Sequence, residues 1–212
     1  MFKYKIAHEA FPILLIMLAT ATVAVPAVFW LRHNIGIFAL AFFCITLAFT
    51  LFFFREPLID VDFANPAAIY SPAYGHVLSI ENYGGKKIIR IFLSVFDVHV
   101  QYAPLAGIIR EIHYYPGEFN MAFDKNAANN ERNRIEIVAS SGQYISVEQI
   151  AGFIARRISC TVKRNDTLNS KRRIGMIRFG SQVAVYLPET VSVLVRKGQF
   201  VTPAQAVAEF KN

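Results

Sequence analysis

The stretch Arg173-Ile174-Gly175-Met176-Ile177-Arg178-Phe179-Gly180-Ser181-Gln182-Val183-Ala184-Val185-Tyr186-Leu187-Pro188 sets a Gly-Ser pair between two β-rich runs. Serine, imidazole and carboxylate are the groups of nucleophilic and proton-transfer chemistry. His99, in Phe92-Leu93-Ser94-Val95-Phe96-Asp97-Val98-His99-Val100, is the candidate acid/base, because an imidazole titrates near neutrality. Asp97 stands two residues earlier, on the same face if the strand is regular, where a carboxylate can orient the ring. His76 and His113 stand in no motif, and His8 and His33 flank apolar runs. By pattern alone Phe-Gly-Ser-Gln also reads as a β-turn, with Gly and Ser serving only the backbone.

The elements that must position these groups are short strands. Candidates run over 76–82, 87–95, 107–114, 134–140, 143–148, 174–178, 182–187 and 191–196, rich in Ile, Val, Tyr and Phe. Asn82-Tyr83-Gly84-Gly85 and Ser141-Gly142 supply turns. Ile150, Phe153, Ile154 and Ile158 recur at helical spacing and predict a helix over Glu148–Ile158. Thr202-Pro203 is a good cap and first turn for a second short helix over Thr202–Phe210. Residues 58–70 read as a linker, with Asn65-Pro66 a turn signal.

A short internal repeat joins Ser71-Pro72-x-x-Gly75-x-Val77 to Ala103-Pro104-x-x-Gly107-x-Ile109. In each copy a rigid turn and a tight bend lead into a strand. Val195-Arg196-Lys197-Gly198-Gln199-Phe200-Val201 looks like a return hairpin. The fold class expected is mainly β: a small hybrid barrel or sandwich that resembles the biotinyl/lipoyl type, with one or two short helices.

Ahead of it stands an apolar region. The chain has 212 residues, 54% of them hydrophobic, and the excess is localised. Phe11–Trp30 and Ile35–Phe54 contain no charged residue, and each is long enough as a helix to cross a bilayer. The link Leu31-Arg32-His33-Asn34 suits an antiparallel helical hairpin, and Pro57 closes it. Residues 1–56 are therefore expected to be a membrane anchor and 57–212 the working domain. Lys3 and Lys5, with the basic body, place that domain on the cytoplasmic side against the single Arg32 of the turn. Lys3, Lys5 and Ala19-Thr20-Ala21 also fit a signal peptide loosely, although the run is long for one. Helices lying in the interface are a further reading. Cys44 and Cys160 make neither a disulfide framework nor a metal spacing.

The net charge of +7 gathers partly in Arg156, Arg157, Lys163, Arg164, Lys171, Arg172, Arg173 and Arg178. An anionic membrane surface attracts such a cluster by about 1 kcal/mol per charge. Beside two apolar helices the membrane is a simpler partner than nucleic acid, and a solvated face needs no partner at all.

The stretch around Gly180-Ser181 resembles the self-processing site of phosphatidylserine decarboxylases, in the short form of that family. Four further stretches match in the same order: Phe92–Val100, Ala103-Pro104-Leu105-Ala106-Gly107, Pro116-Gly117-Glu118-Phe119 and Asn130-Glu131-Arg132-Asn133. The resemblance implies that the proenzyme breaks its own backbone between Gly180 and Ser181. Ser181 Oγ would attack the Gly180 carbonyl, which Gly leaves sterically open. Elimination and hydrolysis would leave a pyruvoyl group at the head of an α chain, residues 181–212, held to a β chain, residues 1–180. That group would form a Schiff base with the serine amine of phosphatidylserine and accept the electrons released with CO₂, giving phosphatidylethanolamine without a metal or diffusible cofactor. The resemblance puts His99 near Ser181 as the catalytic acid/base, implies a membrane lipid as substrate, and suggests a homodimer.

Two positions depart from the family pattern. Tyr74 stands where many members have Asp in Ser-Pro-Ala-Asp-Gly, and Tyr102 stands where longer members carry a second His. A phenol is neutral at pH 7 and supplies no carboxylate charge. Three readings follow for Tyr74: Asp97 replaces the carboxylate, self-cleavage runs slowly without one, or the chain stays uncut as a membrane lipid-binding protein. A decarboxylase of a related serine phospholipid is a close variant. A tethered biotinyl or lipoyl carrier is a distant one, because Lys86 and Lys87 after Gly84-Gly85 lack the usual flanking Met.

Overall fold

Inside a bilayer an uncharged run satisfies its backbone as a helix or in a closed barrel, and both such runs are helical in the computed structural model. It describes residues 4–31, 33–59, 65–117, 130–152, 157–169, 172–178 and 181–211. The chain divides into two compact units, Met1–Leu58 and Ile59–Asn212. In the first, β1 (Tyr4–Ile6) leads through a 3-10 turn at His8–Ala10 into α1 (Phe11–Leu31); α2 (His33–Phe53) and β2 (Arg55–Pro57) follow. Strands β1 and β2 pair antiparallel, Lys5 Nζ lies 3.0 Å from Glu56 Oε1, and the Ala7 N–H donates to Phe54 O at 2.8 Å. The pairing clamps the open ends of the helical pair. The link expected over residues 31–34 is shorter, since α2 already begins at His33; Arg32 itself lies outside the described residues. Among the described residues one helical segment, Ile35–Phe53, is long and apolar enough to cross a membrane.

The second unit is a β structure. It opens with β3 (Ala68–Tyr70), β4 (Gly75–Tyr83) and β5 (Lys86–Leu93). Then come β6 (Val100–Tyr102), β7 (Gly107–Tyr115), β8 (Arg132–Ala139), β9 (Tyr144–Ala151), β10 (Ile158–Cys160), β11 (Thr167–Leu168) and β12 (Arg173–Ile177). It ends with β13 (Ser181–Pro188), β14 (Ser192–Val193), β15 (Phe200–Val201) and β16 (Ala206–Glu209). The main sheet has eight strands in the order β11-β7-β8-β9-β13-β5-β4-β15, flanked by three-stranded sheets β10-β12-β6 and β14-β16-β3.

That order is a palindrome about the β9–β13 pair, and the registers obey it. Val77 pairs with Ile91 and Ile91 with Val183; Ile109 pairs with Ile137 and Ile137 with Ile145. Bulges break the pairing at Val77/Ser79 and at Ile109/Glu111. Ile69 pairs with Ala208 and Gln101 with Gly175, with bulges at Ala206/Ala208 and Arg173/Gly175. The short repeat seen in the sequence is thus the visible part of a full duplication. Its two turns cross at the centre, where Tyr70 N–H donates to Pro104 O at 2.8 Å and Tyr102 N–H to Pro72 O at 2.9 Å. Gly75 and Gly107 are demanded by this packing: an added Cβ would lie 2.2 Å from Phe92 O and 2.3 Å from Val138 O. The second copy, β6 to β12, is continuous in the chain; it is inserted into the first copy between β5 and β13.

One core serves both copies, built from inward residues such as Ile69, Ile89, Ile91, Ile109, Ile135, Ile137, Val183, Val185 and Leu187. Two expected helices are strands instead. Glu148 to Ala151 belongs to β9, which is buried on both faces, so its sequence lacks the alternation that marks a half-exposed strand. Residues 153–156 of the expected helix lie outside the described residues. Thr202–Phe210 holds a turn and β16, whose small residues pack beside β3. The expected linker 58–70 ends in β3, and residues 60–64 lie outside the described residues.

Candidate active site

Ser181 is the first residue of β13, a strand bonded on both sides: Ser181 faces Leu93 of β5 and Ala151 of β9. Its side chain points inward with Val183 and Val185 and is fully buried. Its Oγ has no hydrogen-bond partner among the described residues. A buried hydroxyl without a partner forgoes about 1–3 kcal/mol of hydrogen bonding, a cost that suits a group held for reaction. Gly180 and Phe179 lie outside the described residues.

His99 does not sit on a continuous strand. β5 ends at Leu93, a turn occupies Ser94–Asp97, and His99 precedes β6. The Asp97 carboxylate closes that turn by accepting the Ser94 N–H at 2.8 Å. Asp97 meets the ring through its carbonyl, 3.0 Å from His99 Nδ1. A carbonyl only accepts, so Nδ1 carries a proton, and in the neutral ring the lone pair then lies on Nε2. The Asp97 carboxylate therefore shapes the turn, and the Asp97 backbone sets the tautomer.

The His99 carbonyl accepts from Ile177 N–H at 3.3 Å and from Gln101 Nε2 at 2.6 Å. The first bond ties His99 to the strand that runs out toward residue 181. Around the Ser181 end, Asn130 Nδ2 donates to Ala151 O at 2.7 Å, and Ala151 N–H donates to Glu131 O at 2.9 Å. Asn130 and Glu131 thus brace the strand opposite Ser181. Gln101, Gln149 and Asn130 carried no functional assignment in the sequence. For Gln101 and Gln149 the signal is a polar residue at an inward strand position, visible only once the register is known.

The other candidates lie apart. His76 packs edge-on to Phe200 at 5.0 Å, and His113 sits 3.9 Å from Glu136. Lys87 Nζ donates to Val191 O at 2.7 Å. Two members of the basic cluster are neutralised locally, Arg164 by Glu111 at 3.3 Å and Arg172 by Asp166 at 3.2 Å; Arg156 and Lys171 lie outside the described residues. A cavity of about 600 Å³, lined by Lys86, Glu136, Tyr144 and Tyr186, opens at the opposite end of β13. It lies five to seven residues from Ser181, roughly 20 Å along a strand. Among the described residues no three His, Cys, Asp or Glu side chains gather as a metal site.

The sequence model of the phosphatidylserine decarboxylase family matches residues 46–209. The chain belongs to the phosphatidylserine decarboxylase family. It is 40% identical to the phosphatidylserine decarboxylase proenzyme of Burkholderia vietnamiensis over 191 residues, 86% of this chain and 85% of that protein. The Burkholderia cenocepacia proenzyme is likewise 40% identical over the same shares, and that of Burkholderia ambifaria 39%. The family match runs through β3–β16 and so includes both copies of the duplication and both candidate residues, His99 and Ser181. The three relatives carry the name proenzyme. That name adds no residue roles to the geometry above.

Proposed function

We propose that the chain decarboxylates phosphatidylserine to phosphatidylethanolamine with a pyruvoyl group made from its own Ser181. The observation that carries this is the buried Ser181 hydroxyl at the head of β13, without a hydrogen-bond partner among the described residues, in a chain of the decarboxylase family. In maturation, Ser181 Oγ gives its proton to His99 Nε2 and adds to the Gly180 carbonyl carbon. The Gly180–Ser181 amide breaks and an ester forms. Loss of the Ser181 Cα proton then expels the Gly180 carboxylate, and water converts the remaining dehydroalanine to the pyruvoyl end with release of ammonia. The products are a β chain, 1–180, and an α chain, 181–212.

Pairing explains why the two chains stay together. β13 is hydrogen-bonded to β5 along Ser181–Pro188 and to β9 along Ser181–Tyr186, and β15 and β16 are bonded to β4 and β3. Maturation removes only the bonding of the Ser181 N–H, which leaves as ammonia; the pairing from Gln182 onward is kept. The orphaned Oγ is the atom that leaves on maturation, so the site fits the group that would replace it. A pyruvoyl carbonyl supplies an electron sink for decarboxylation of an amine-bearing substrate. In turnover His99 holds the proton that returns to the substrate carbon, with its tautomer set by the Asp97 carbonyl. Residues 1–56 anchor the chain to the membrane where the lipid resides, with residues 57–212 on the cytoplasmic side; the apolar Ile35–Phe53 helix supports the anchor.

The test is release of CO₂ from carboxyl-labelled phosphatidylserine in mixed micelles by purified full-length protein. The expected result is stoichiometric phosphatidylethanolamine, abolished by a carbonyl reagent such as phenylhydrazine and by His99→Ala. Cleaved protein that releases no CO₂ would overturn the substrate assignment.

A further inference from the structure

Three buried amides join the main sheet, which carries Ser181, to the three-stranded sheet that His99 leads into. Asn133 Nδ2 donates to Gln149 Oε1 at 3.0 Å, Gln149 Nε2 to Gln101 Oε1 at 2.9 Å, and Gln101 Nε2 to the His99 carbonyl at 2.6 Å. All three side chains are buried. The direction is dictated by chemistry. A carbonyl can only accept, so Gln101 must present its NH₂ to His99. Its oxygen then faces Gln149, which must donate, leaving the Gln149 oxygen for Asn133. Asn133 and Gln149 stand on β8 and β9 of the main sheet, and Gln149 is two residues from Ala151, which faces Ser181. Gln101 stands on β6, in the three-stranded sheet that His99 leads into.

The duplication provides an internal control. The position matching Gln101 in the first copy is Ile69, and the position matching Gln149 is Leu187; both are buried in the main core. The fold therefore accepts apolar residues at these places. Amides stand there only in the copy whose small sheet carries His99. Gly175 makes room for them: a Cβ there would lie 2.6 Å from Gln149 Nε2, whereas Ala208 fills the matching position in the other copy.

We propose that the Asn133–Gln149–Gln101 chain is a positioning device that fixes the His99 segment against the strand bearing Ser181. Gln101 and Gln149 are positioning residues that act through the His99 backbone. The proposal rests on the reading of His99 and Ser181 as the reacting pair. A misplacement of about 1 Å costs on the order of 100-fold in rate, so a loosened His99 segment is felt in both self-cleavage and turnover.

The experiment compares full-length wild type, Gln101→Leu, Gln149→Leu, Gln101→Glu and His99→Gln. It follows self-cleavage of fresh proenzyme, then kcat and KM on phosphatidylserine micelles across pH, with circular dichroism and thermal melting as fold controls. Both Leu variants are expected to fold, to cleave and turn over about 10- to 100-fold more slowly, and to keep KM. Gln101→Glu is expected to regain activity relative to wild type as pH falls, because a protonated carboxyl both donates to the His99 carbonyl and accepts from Gln149. That pH signature does not arise from packing alone, and it decides the matter if a Leu variant fails to fold. Folded Leu variants within twofold of wild type, or a Gln101→Glu to wild-type ratio that is flat with pH, would overturn the proposal. A His99→Gln protein that matures and turns over normally would instead overturn the underlying pairing of His99 with Ser181.

Discussion

The two copies of the duplicated unit share strand order, bulge positions and crossing turns, yet of the equivalent junctions β8–β9 and β5–β13 the first is closed and the second is open. In the second copy β8 turns straight into β9 through Ser141-Gly142, and Ala139 N–H donates to Gln143 O at 2.8 Å. The matching place in the first copy is the Leu93–Ser181 pair. There the hairpin is open, because the whole second copy is spliced between its ends. His99 lies at the entry seam and Ser181 at the exit seam. Gln143 of the closed hairpin and Ser181 of the open one hold equivalent positions in the same architecture. What differs is that the open junction brings together two chain segments distant in sequence and leaves an inward hydroxyl at a strand end. The fold is duplicated, and the proposed chemistry sits where the duplication is interrupted.

The strongest way to break this comparison is at its shared glycines. Gly75→Ala and Gly107→Ala each drive a Cβ into a backbone oxygen, Phe92 O at 2.2 Å and Val138 O at 2.3 Å. Each is expected to cost about 3 kcal/mol or more, the upper range for overpacking, read by denaturant unfolding. Equal damage at both supports the equivalence; a silent substitution at either refutes it there. Next is the reverse of the amide chain: Ile69→Gln puts an amide where the first copy has none. It should lower stability by about 1–3 kcal/mol through an unsatisfied buried amide, in contrast to Gln101, whose partners are in place.

Smaller effects are expected at the matching return turns. Asn165 and Gly198 hold left-handed backbones at φ 69° and 82°. Val77 and Ile109 accept equivalent bonds from them, Gly198 N–H to Val77 O at 2.7 Å and Asn165 N–H to Ile109 O at 2.8 Å. Gly198→Ala should cost about 1 kcal/mol, since a Cβ is disfavoured there, whereas Asn165→Gly should change stability by a few tenths.

The smallest effect is on titration. Tyr186 and Glu148 are equivalent residues that meet across the centre, with Tyr186 OH donating to Glu148 Oε2 at 2.8 Å. Burial first, and then the Glu148 carboxylate, push the Tyr186 phenol above its ordinary value of 10.0. The protonated phenol is favoured by folding, so its contribution is full below about pH 10 and is lost as pH rises through the raised folded value. The difference between ultraviolet titrations of wild type and Tyr186→Phe should therefore appear above pH 10.

Much of this was legible in the chain. The strand candidates from 76–82 through 182–187 correspond to β4, β5, β7, β8, β9, β12 and β13. The Pro-x-x-Gly repeat marked the two crossing turns, because the need for rigid turn and tight bend is local. The central strands were harder. β9 is buried on both faces, so Val147, Glu148, Gln149 and Ile150 show no period-two alternation, and Ile150 and Ile158 mimic a helix. Of the proposed site, Ser181 and His99 were singled out through residue type and context. Gln101 and Gln149 were not, because an inward glutamine has meaning only when the facing strand is known. Asp97 showed the opposite limit: its proximity to His99 was legible, but that its carbonyl rather than its carboxylate meets the ring depended on the turn at Ser94–Asp97.

The central claim is that the open junction is cut at Ser181, and intact-mass analysis of purified full-length protein beside Ser181→Ala tests it most directly. The account predicts two fragments from wild type, the smaller beginning at position 181 with a pyruvoyl group, and one uncut chain from the variant. A folded wild-type protein that remains a single chain with Ser181 unaltered would contradict it, and would make Tyr74 the mark of a family member that binds lipid without maturing.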